Sequence, residues 1–216
     1  MRTAEWTESV SVLDRLTAVL DAFGDDDGLG VSEIARRANL PKSTVSRIVT
    51  DLVRQRYLDR EGSRLHLGLK LFELGQAVER PMRLRRLAHP VMTQLRNLTR
   101  AGVHLAVLEG ADAVLIASMS GADDDVEAPS LASTRSQVRT SALGLAMLAN
   151  SSEVTTISDP ASGTTTLASA ILAIGGPPVG AIGIVGRSSA IDPQQTGALV
   201  RSAAATMGRL WARDPS

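Results

Sequence analysis

The chain has no cysteine. That excludes disulfides, a thiolate nucleophile and any cysteine-based zinc site, and it suits a reducing cytoplasm. Aromatic residues make up only 2% of the 216 positions, as two Trp, one Tyr and two Phe. Single-stranded nucleic acid is held on aromatic platforms, so that mode of binding is disfavoured. The three histidines, His66, His89 and His104, lack metal-ligand spacing and read as structural or surface residues. No apolar run approaches the ~20 residues that cross a bilayer, and MRTAEWTESV at the start has no signal-peptide core. The expected location is therefore the cytoplasm, with no membrane partner. There is no G-x-S-x-G elbow. GAIGIVG (Gly180–Gly186) resembles a nucleotide-binding loop only loosely, because it reads as part of a strand. No nucleophile, base or metal set is visible, so an enzyme is disfavoured and no cofactor is implied. Lys and Arg number 23, and so do Asp and Glu, giving a formal net charge of zero.

That balance is not uniform along the chain. Between Arg36 and Arg64 there are eight cations against three anions, an excess of five. The stretch VSEIARRANLPKSTVSRIVTDLV (Val31–Val53) reads as two short helices joined at Asn39-Leu40. In the second helix Val45, Ile48, Val49, Leu52 and Val53 recur at helical spacing and form one apolar stripe. Lys42, Ser43, Ser46, Arg47, Thr50 and Arg54 occupy the rest of its circumference. Hydroxyls and long cations are the side chains that bond to phosphates and base edges. Pro41 is expected in the first helical turn, with Ser43 and Thr44 close behind it, at the end that enters the groove in helix-turn-helix proteins. Taken alone, the pair is also compatible with an inert amphipathic hairpin with a solvated polar face.

The flanking segments decide between the two. Val12, Leu13, Leu16, Val19, Leu20 and Phe23 predict a helix over Ser9–Phe23, after a loose arm at 1–8. YLDREGSRLHL predicts a small hairpin, with strands Tyr57–Arg60 and Arg64–Leu67 around a Glu61-Gly62-Ser63 turn. Three helices and a hairpin make a winged helix-turn-helix, and a local positive excess is what a duplex binder needs. The candidate DNA contacts are Arg36, Lys42, Ser43, Thr44, Ser46, Arg47 and Thr50, with Arg60 and Arg64 on the wing.

Gly68–Val78 reads as a linker helix whose Leu71, Phe72 and Leu74 suit a dimer contact, and Arg80-Pro81 reads as a helix boundary. Met82–Arg100 is a basic helix with a kink expected at Pro90. Beyond it a hairpin is expected from Val103–Leu108 and Ala113–Met119. An acidic loop follows at Gly121–Glu127, without the glycine or the terminal Glu of a calcium loop. A possible strand in Pro129–Arg139 and a short helix at Thr140–Ala149 come next. Asn150–Ser169 is rich in Ser, Thr, Gly and Pro and reads as a loop. Strands Leu167–Ile174 and Val179–Val185 and a closing helix Pro193–Trp211 complete the chain. The fold class is α+β: a winged helix-turn-helix over 1–67, a linker helix over 68–81 and an effector-binding-like or oligomerisation domain over 82–216.

LPKSTVSRIVTDLVRQRYLDREGSRLHLGLKLFELG resembles the IclR family of bacterial transcription regulators. So do VHLAVLEGADAVLIASMSG, SALGLAMLA and TTLASAILAIGGPPVGAIGIVG in the second half. The resemblance implies a regulator, often a repressor, that binds a palindromic operator in duplex DNA as a homodimer or homotetramer. It also implies a GAF-like second domain that takes a small-molecule effector, often an organic acid. That second domain is truncated, because only Asn150–Gly163 stands where the family has several dozen residues. By the same resemblance the effector pocket maps to the amides of Ala142 and Leu143, to Thr166 in place of a Cys, and to Gly183 and Val185 in place of two Ser. An Asp of the family falls near Thr156. The pocket is therefore expected to be more apolar than the family's and to hold short acids no better than about millimolar. In the alternative, the second domain serves only assembly or a protein partner.

Overall fold

A computed structural model describes residues 11–24, 26, 28–122 and 135–214. The chain divides into two compact units, Met1–Ala77 and Val78–Ser216.

The first unit is built from helices α1 (Val12–Asp21), α2 (Val31–Arg37) and α3 (Lys42–Arg54), strands β1 (Leu58–Glu61) and β2 (Arg64–Leu67), and helix α4 (Leu69–Gln76). The α1 start is set by a capping box: Ser11 Oγ accepts from the Asp14 amide at 3.0 Å, and the Asp14 carboxylate accepts from the Ser11 amide at 2.8 Å. This start lies three residues beyond the expected Ser9, and the arm at 1–8 lies outside the described residues. Asn39, at φ +52°, makes the turn between α2 and α3, as a short polar side chain allows. Pro41 stands one residue before α3, in the N-cap position, rather than inside its first turn. The core gathers Val19, Ile34, Val45, Leu52, Leu58 and Leu65 from five elements, with Phe23 from the turn after α1. The wing register pairs Glu61 with Arg64, which leaves a two-residue turn at Gly62-Ser63 instead of the expected three. Gly62 supplies the left-handed φ of +58° that this turn needs.

The second unit opens with α5 (Glu79–Thr99), followed by β3 (Gly102–Glu109), β4 (Asp112–Met119) and β5 (Arg135–Gln137). Then come α6 (Ala142–Ala149), β6 (Val154–Asp159), β7 (Thr164–Leu172), β8 (Pro178–Arg187) and α7 (Pro193–Arg213). The strands form one antiparallel sheet in the order β5-β4-β3-β8-β7-β6. One face carries Leu105, Leu167, Ile182 and Ile184 into a core with α5 and α7. The other face is surfaced by Ala106, Ala113, Ala168 and Ala181, and α6 packs on it through Ala142, Leu143, Ala146 and Met147. Small residues on both sides bring helix and sheet close.

Two expectations fail here. Arg80 and Pro81 lie in the first turn of α5, where the missing proline amide would have had no helical partner in any case. Asn150–Ser169 is not a loop: β6 and the start of β7 pair through it from Val154↔Ser169 to Asp159↔Thr164. Threonine is β-branched and favours a pleated surface, and that preference prevails over the loop-like composition. Most of the acidic stretch at Gly121–Glu127 lies outside the described residues, so the calcium reading does too.

Arginines of α5 hold the second unit together. Arg83 lies 3.9 Å over the Trp211 ring and donates to the Trp211 carbonyl at 2.7 Å, which fastens the end of α7 to α5. Arg96 Nε donates to the Ser120 carbonyl at 2.6 Å. The closest approach is at Gly144 of α6, where a Cβ would sit 2.2 Å from the Val138 carbonyl oxygen, which is backbone and cannot give way cheaply. Gly144→Ala should therefore push α6 off Val138 and destabilise the second unit by roughly 1–3 kcal/mol. Urea denaturation would read this as a lowered midpoint, and an unchanged midpoint would contradict the packing described.

Candidate nucleic-acid interface and ligand cavity

Helix α3 is held by one side only. Val45, Val49 and Leu52 are buried, whereas Lys42, Ser43, Ser46, Arg47 and Thr50 are exposed on the remaining surface and Thr44 is half-buried. Thr50 Oγ1 donates to the Ser46 carbonyl at 2.9 Å, which leaves its oxygen free to accept. On the wing, Arg60 and Arg64 are exposed while Leu58 and Leu65 point into the core.

The cations of this unit fall into two groups. Glu33 accepts from Arg36 Nε at 3.0 Å and from Arg37 Nε at 2.8 Å. These bonds, led by that of Arg36, hold the Glu33 carboxyl down to about 2. Arg37 also pairs with Asp26 and donates to the Ala22 carbonyl at 3.1 Å, so it fixes the segment after α1 against α2. Arg54 pairs with Asp51 at 2.8 Å within α3. Among the described residues Lys42, Arg47, Arg56 and Arg60 make no ion pair or side-chain hydrogen bond. Three of those four are among the expected DNA contacts. Arg36, also expected there, already has its fork occupied by Glu33.

The second unit has a partly open cavity of about 250 Å³ between the α6 start and the alanine face of the sheet. Its polar rim is made by Ser136, Thr140, Ser141 and Thr166, and its apolar wall includes Ala106, Leu115, Leu143 and Ile157. Among the described lining residues none carries a formal charge at pH 7. Ser141 caps α6 by accepting from the Gly144 amide at 3.0 Å. That leaves the Ala142 and Leu143 amides, which have no partner within the helix, at the cavity end. His104 of β3 also lines the cavity; it is only 7% exposed, and its Nε2, closed off from solvent, has no hydrogen-bond partner among the described residues.

Two family models match the chain. The IclR helix-turn-helix domain matches residues 12–62, and the bacterial transcriptional regulator IclR C-terminal domain matches residues 76–159. The chain belongs to the IclR family. Among its curated relatives, the transcriptional regulator BhcR of Paracoccus denitrificans is 32% identical over 149 residues, which is 68% of this chain and 53% of BhcR. KdgR of Escherichia coli is 34% identical over 104 residues, 47% of this chain and 40% of KdgR. The acetate operon repressor of Salmonella typhimurium is 29% identical over 51% of this chain and 41% of its own. The chain thus spans about half the length, or less, of the curated relatives it matches. Solved structures share the fold. An IclR homologue from Microbacterium hydrocarbonoxydans, described as complexed with 4-hydroxybenzoate, superposes with a TM-score of 0.81 at 24% identity over 94% of this chain and all of that one. The Thermotoga maritima IclR gives 0.68 at 20% identity over 93% and 98%. Among the described residues no helix is long and apolar enough to cross a membrane.

The expected IclR-type pocket residues are brought together only in part. Ala142, Leu143 and Thr166 line the cavity. Gly183 and Val185 do not: Gly183 is buried where a Cβ would meet the Leu167 carbonyl at 2.6 Å, and Val185 lines a separate hollow beside Gly102 and Ile191. Thr156 is exposed on β6 and is likewise not part of the lining. His104, read from the sequence as a structural or surface residue, is buried on the cavity side of β3. The signal for it was the alternation of β3, which puts His104 and Ala106 on the same face.

Burial pushes the His104 imidazole down from 6.5 to about 4, so it is neutral at pH 7. A group whose folded pKa lies below its unfolded value contributes stability that is complete above the unfolded pKa. That stability is lost as pH falls towards the folded one. Acidification from pH 7 to 4.5 should cost the wild type roughly 2–3 kcal/mol through this residue alone. Urea denaturation of wild type and His104→Leu at both values should show the larger loss in the wild type. Equal losses would mean that His104 charges freely in the folded protein.

Proposed function

We propose that this protein is a DNA-binding transcriptional regulator, a repressor, that recognises a palindromic operator as a dimer and responds to a small molecule held in its second domain. The observation that carries the reading is the face of α3. Its apolar side is spent on the core, while Lys42 and Arg47 are exposed and have no counter-charge among the described residues. Hydroxyls of Ser43, Thr44, Ser46 and Thr50 lie between or beside them, the mixture that phosphate and base-edge contacts require. Arg60 and Arg64 on the wing serve flanking phosphates. Arg36 joins them only by leaving Glu33, so its contribution is the smallest. The protein has no catalytic role in this reading, and its place of action is the cytoplasm, where the DNA is.

The dimer is assigned to α4. None of its residues is buried, yet Leu69, Phe72 and Leu74 are all exposed, Phe72 at 61%. A helix with that much unburied apolar surface needs a covering partner. Operator palindromy calls for a protein two-fold, so a second copy meets both needs. A homotetramer is two such dimers joined elsewhere. In the alternative reading the second domain only assembles or binds a protein; the cavity beside the α6 start, with hydroxyls on its rim and apolar walls, favours the sensing role.

Arg47→Ala should cost about 1–3 kcal/mol at the cognate operator and relax discrimination at one base step. Arg60→Ala should weaken all duplexes alike and reduce the salt dependence by about one counter-ion. Gel-shift titrations at two salt concentrations measure both, and wild-type affinity in both variants would sink the assignment.

Phe72→Glu should give a folded protein that is monomeric and binds the operator poorly, because the dimer would bury an unpaired carboxylate. Light scattering is the check: the wild-type oligomer persisting in the variant would remove α4 from the interface.

A further inference from the structure

The helical layer of the second unit carries charge that its own packing does not use. Helices α5 and α7 hold eight arginines against one acid, Glu79. With the flanking Asp192 and Asp214 counted too, the excess is still five, as large as that of the Arg36–Arg64 stretch. Some of these cations are structural. Arg83 and Arg96 bond to backbone carbonyls, and Arg86 pairs with Asp214 at 2.8 Å. Among the described residues Arg80, Arg85, Arg201, Arg209 and Arg213 are exposed and make no ion pair. Helix stability does not account for the distribution. Arg80, Arg83, Arg85 and Arg86 fall in the first two turns of α5, near the positive end of its dipole, where cations are disfavoured. Arg209 and Arg213 stand four residues apart in α7, a like-charge spacing that weakens a helix slightly.

Packing puts these side chains on one surface. In α7 Val200, Ala203, Ala204 and Met207 are buried, which turns Ser202, Arg209 and Arg213 outward on the opposite stripe. In α5 the burial of Leu84, Ala88, Met92 and Leu95 turns Arg86 and Asn97 outward in the same way. The bonds of Arg83 to Trp211 and of Arg86 to Asp214 bring the start of α5 beside the end of α7. Arg85, Arg86, Arg209 and Arg213 therefore mark one end of a single exposed layer.

The chemistry of the layer narrows its partner. Leu98 is the one large apolar side chain exposed on either helix. Protein interfaces are centred on apolar and aromatic anchors, whereas those with DNA are polar and strongly cationic. Every Lys or Arg in the two helices is an arginine, whose planar fork suits phosphate oxygens. Asn97, Gln195 and Ser202 are exposed beside them and are further donors to phosphate. Only Ala77 and Val78 separate α4 from α5, so the second unit is tethered to whatever duplex the first unit holds.

We propose that the outward face of α5 and α7 is a second duplex-DNA contact. Arg209 and Arg213, with Arg85 and Arg86 beside them, grip backbone phosphates without reading sequence. The contact extends the DNA-binding reading and stands on residues that reading does not use.

The test uses the full-length protein and a mixed-sequence duplex of about six helical turns, titrated by fluorescence anisotropy at several salt concentrations. The double substitution Arg209→Gln, Arg213→Gln should fold, as judged by circular dichroism, and bind more weakly at low salt. Its slope of log affinity against log salt should fall by nearly two, since each phosphate contact contributes about 0.9. Arg209→Lys, Arg213→Lys should keep the wild-type slope, because charge is what the contact needs. The proposal is overturned by an unchanged slope in the Gln variant, or by a Lys variant that behaves like the Gln one. It is also overturned if the Gln variant keeps duplex binding and loses binding to labelled polyglutamate, which would mark an acidic protein partner. Should the Gln variant fail to fold, Arg85→Gln on the other helix gives the same readout, with a fall of about one. The α3 substitution Lys42→Ala, Arg47→Ala separates this contact from the recognition helix. A slope lowered by the α3 change alone leaves the recognition helix standing and removes this contact. A slope lowered by the α7 change alone does the reverse, and a slope moved by neither overturns both.

Discussion

Burial of one side of α3 is the constraint on which the first unit depends. Val45, Val49 and Leu52 reach a core shared with Phe23, Ile34, Leu58 and Leu65. Each such side chain removed from water contributes about 1.5–3 kcal/mol, so rotating the helix about its axis would forfeit several of them at once. The helix therefore has one orientation. Its polar residues face outward because nothing in the unit can use them, and a recognition surface results from packing rather than from any local preference of serine or lysine. The same core fixes the wing, since Leu58 and Leu65 are the residues that β1 and β2 bury.

The second unit is governed by size. Alanines on the sheet face and small residues in α6 permit a contact so close that Gly144 has no room for a Cβ against Val138. Close packing along the helix body holds its N-terminal end over a part of the sheet where side chains are equally short. The cavity is the space left over. A larger residue at Ala106 or Ala113 would fill it, so the composition that brings the helix down also keeps the site open.

What was legible in the sequence follows from how local each signal is. The stripe of α3 repeats within a dozen residues, and Gly62 marks the wing turn, so the winged helix-turn-helix could be read directly. β6 could not, because Ser and Thr suit loops by composition and strands by branching, and only its pairing with β7 settles the matter. The division of cations was hidden for a similar reason: Arg37 is committed by Asp26, eleven residues away and beyond the Arg36–Arg64 stretch whose charge was counted. The resemblance found Ala142, Leu143 and Thr166, which lie on one helix start and one strand. It did not single out His104, which joins the lining only when α6 is laid over its face of β3.

The two polar surfaces obey opposite rules, and the difference bears on regulation. Around α3 the cations are exposed, so leaving Lys42 or Arg47 unpaired is cheap in water, and the affinity they give is electrostatic and salt-dependent. Under α6 the polar groups are hydroxyls and helix-start amides set among apolar walls, where a hydrogen bond to a fitting ligand is electrostatically stronger than in water. A ligand of that kind stabilises the states in which the cavity is formed and not those in which it is distorted or open. A regulator needs that differential, because a small molecule shifts a conformational equilibrium only by as much as its affinities for the two states differ. A cavity without charge among its described lining residues would supply the difference through desolvation and hydrogen bonding, without the salt sensitivity of the proposed DNA-facing surface.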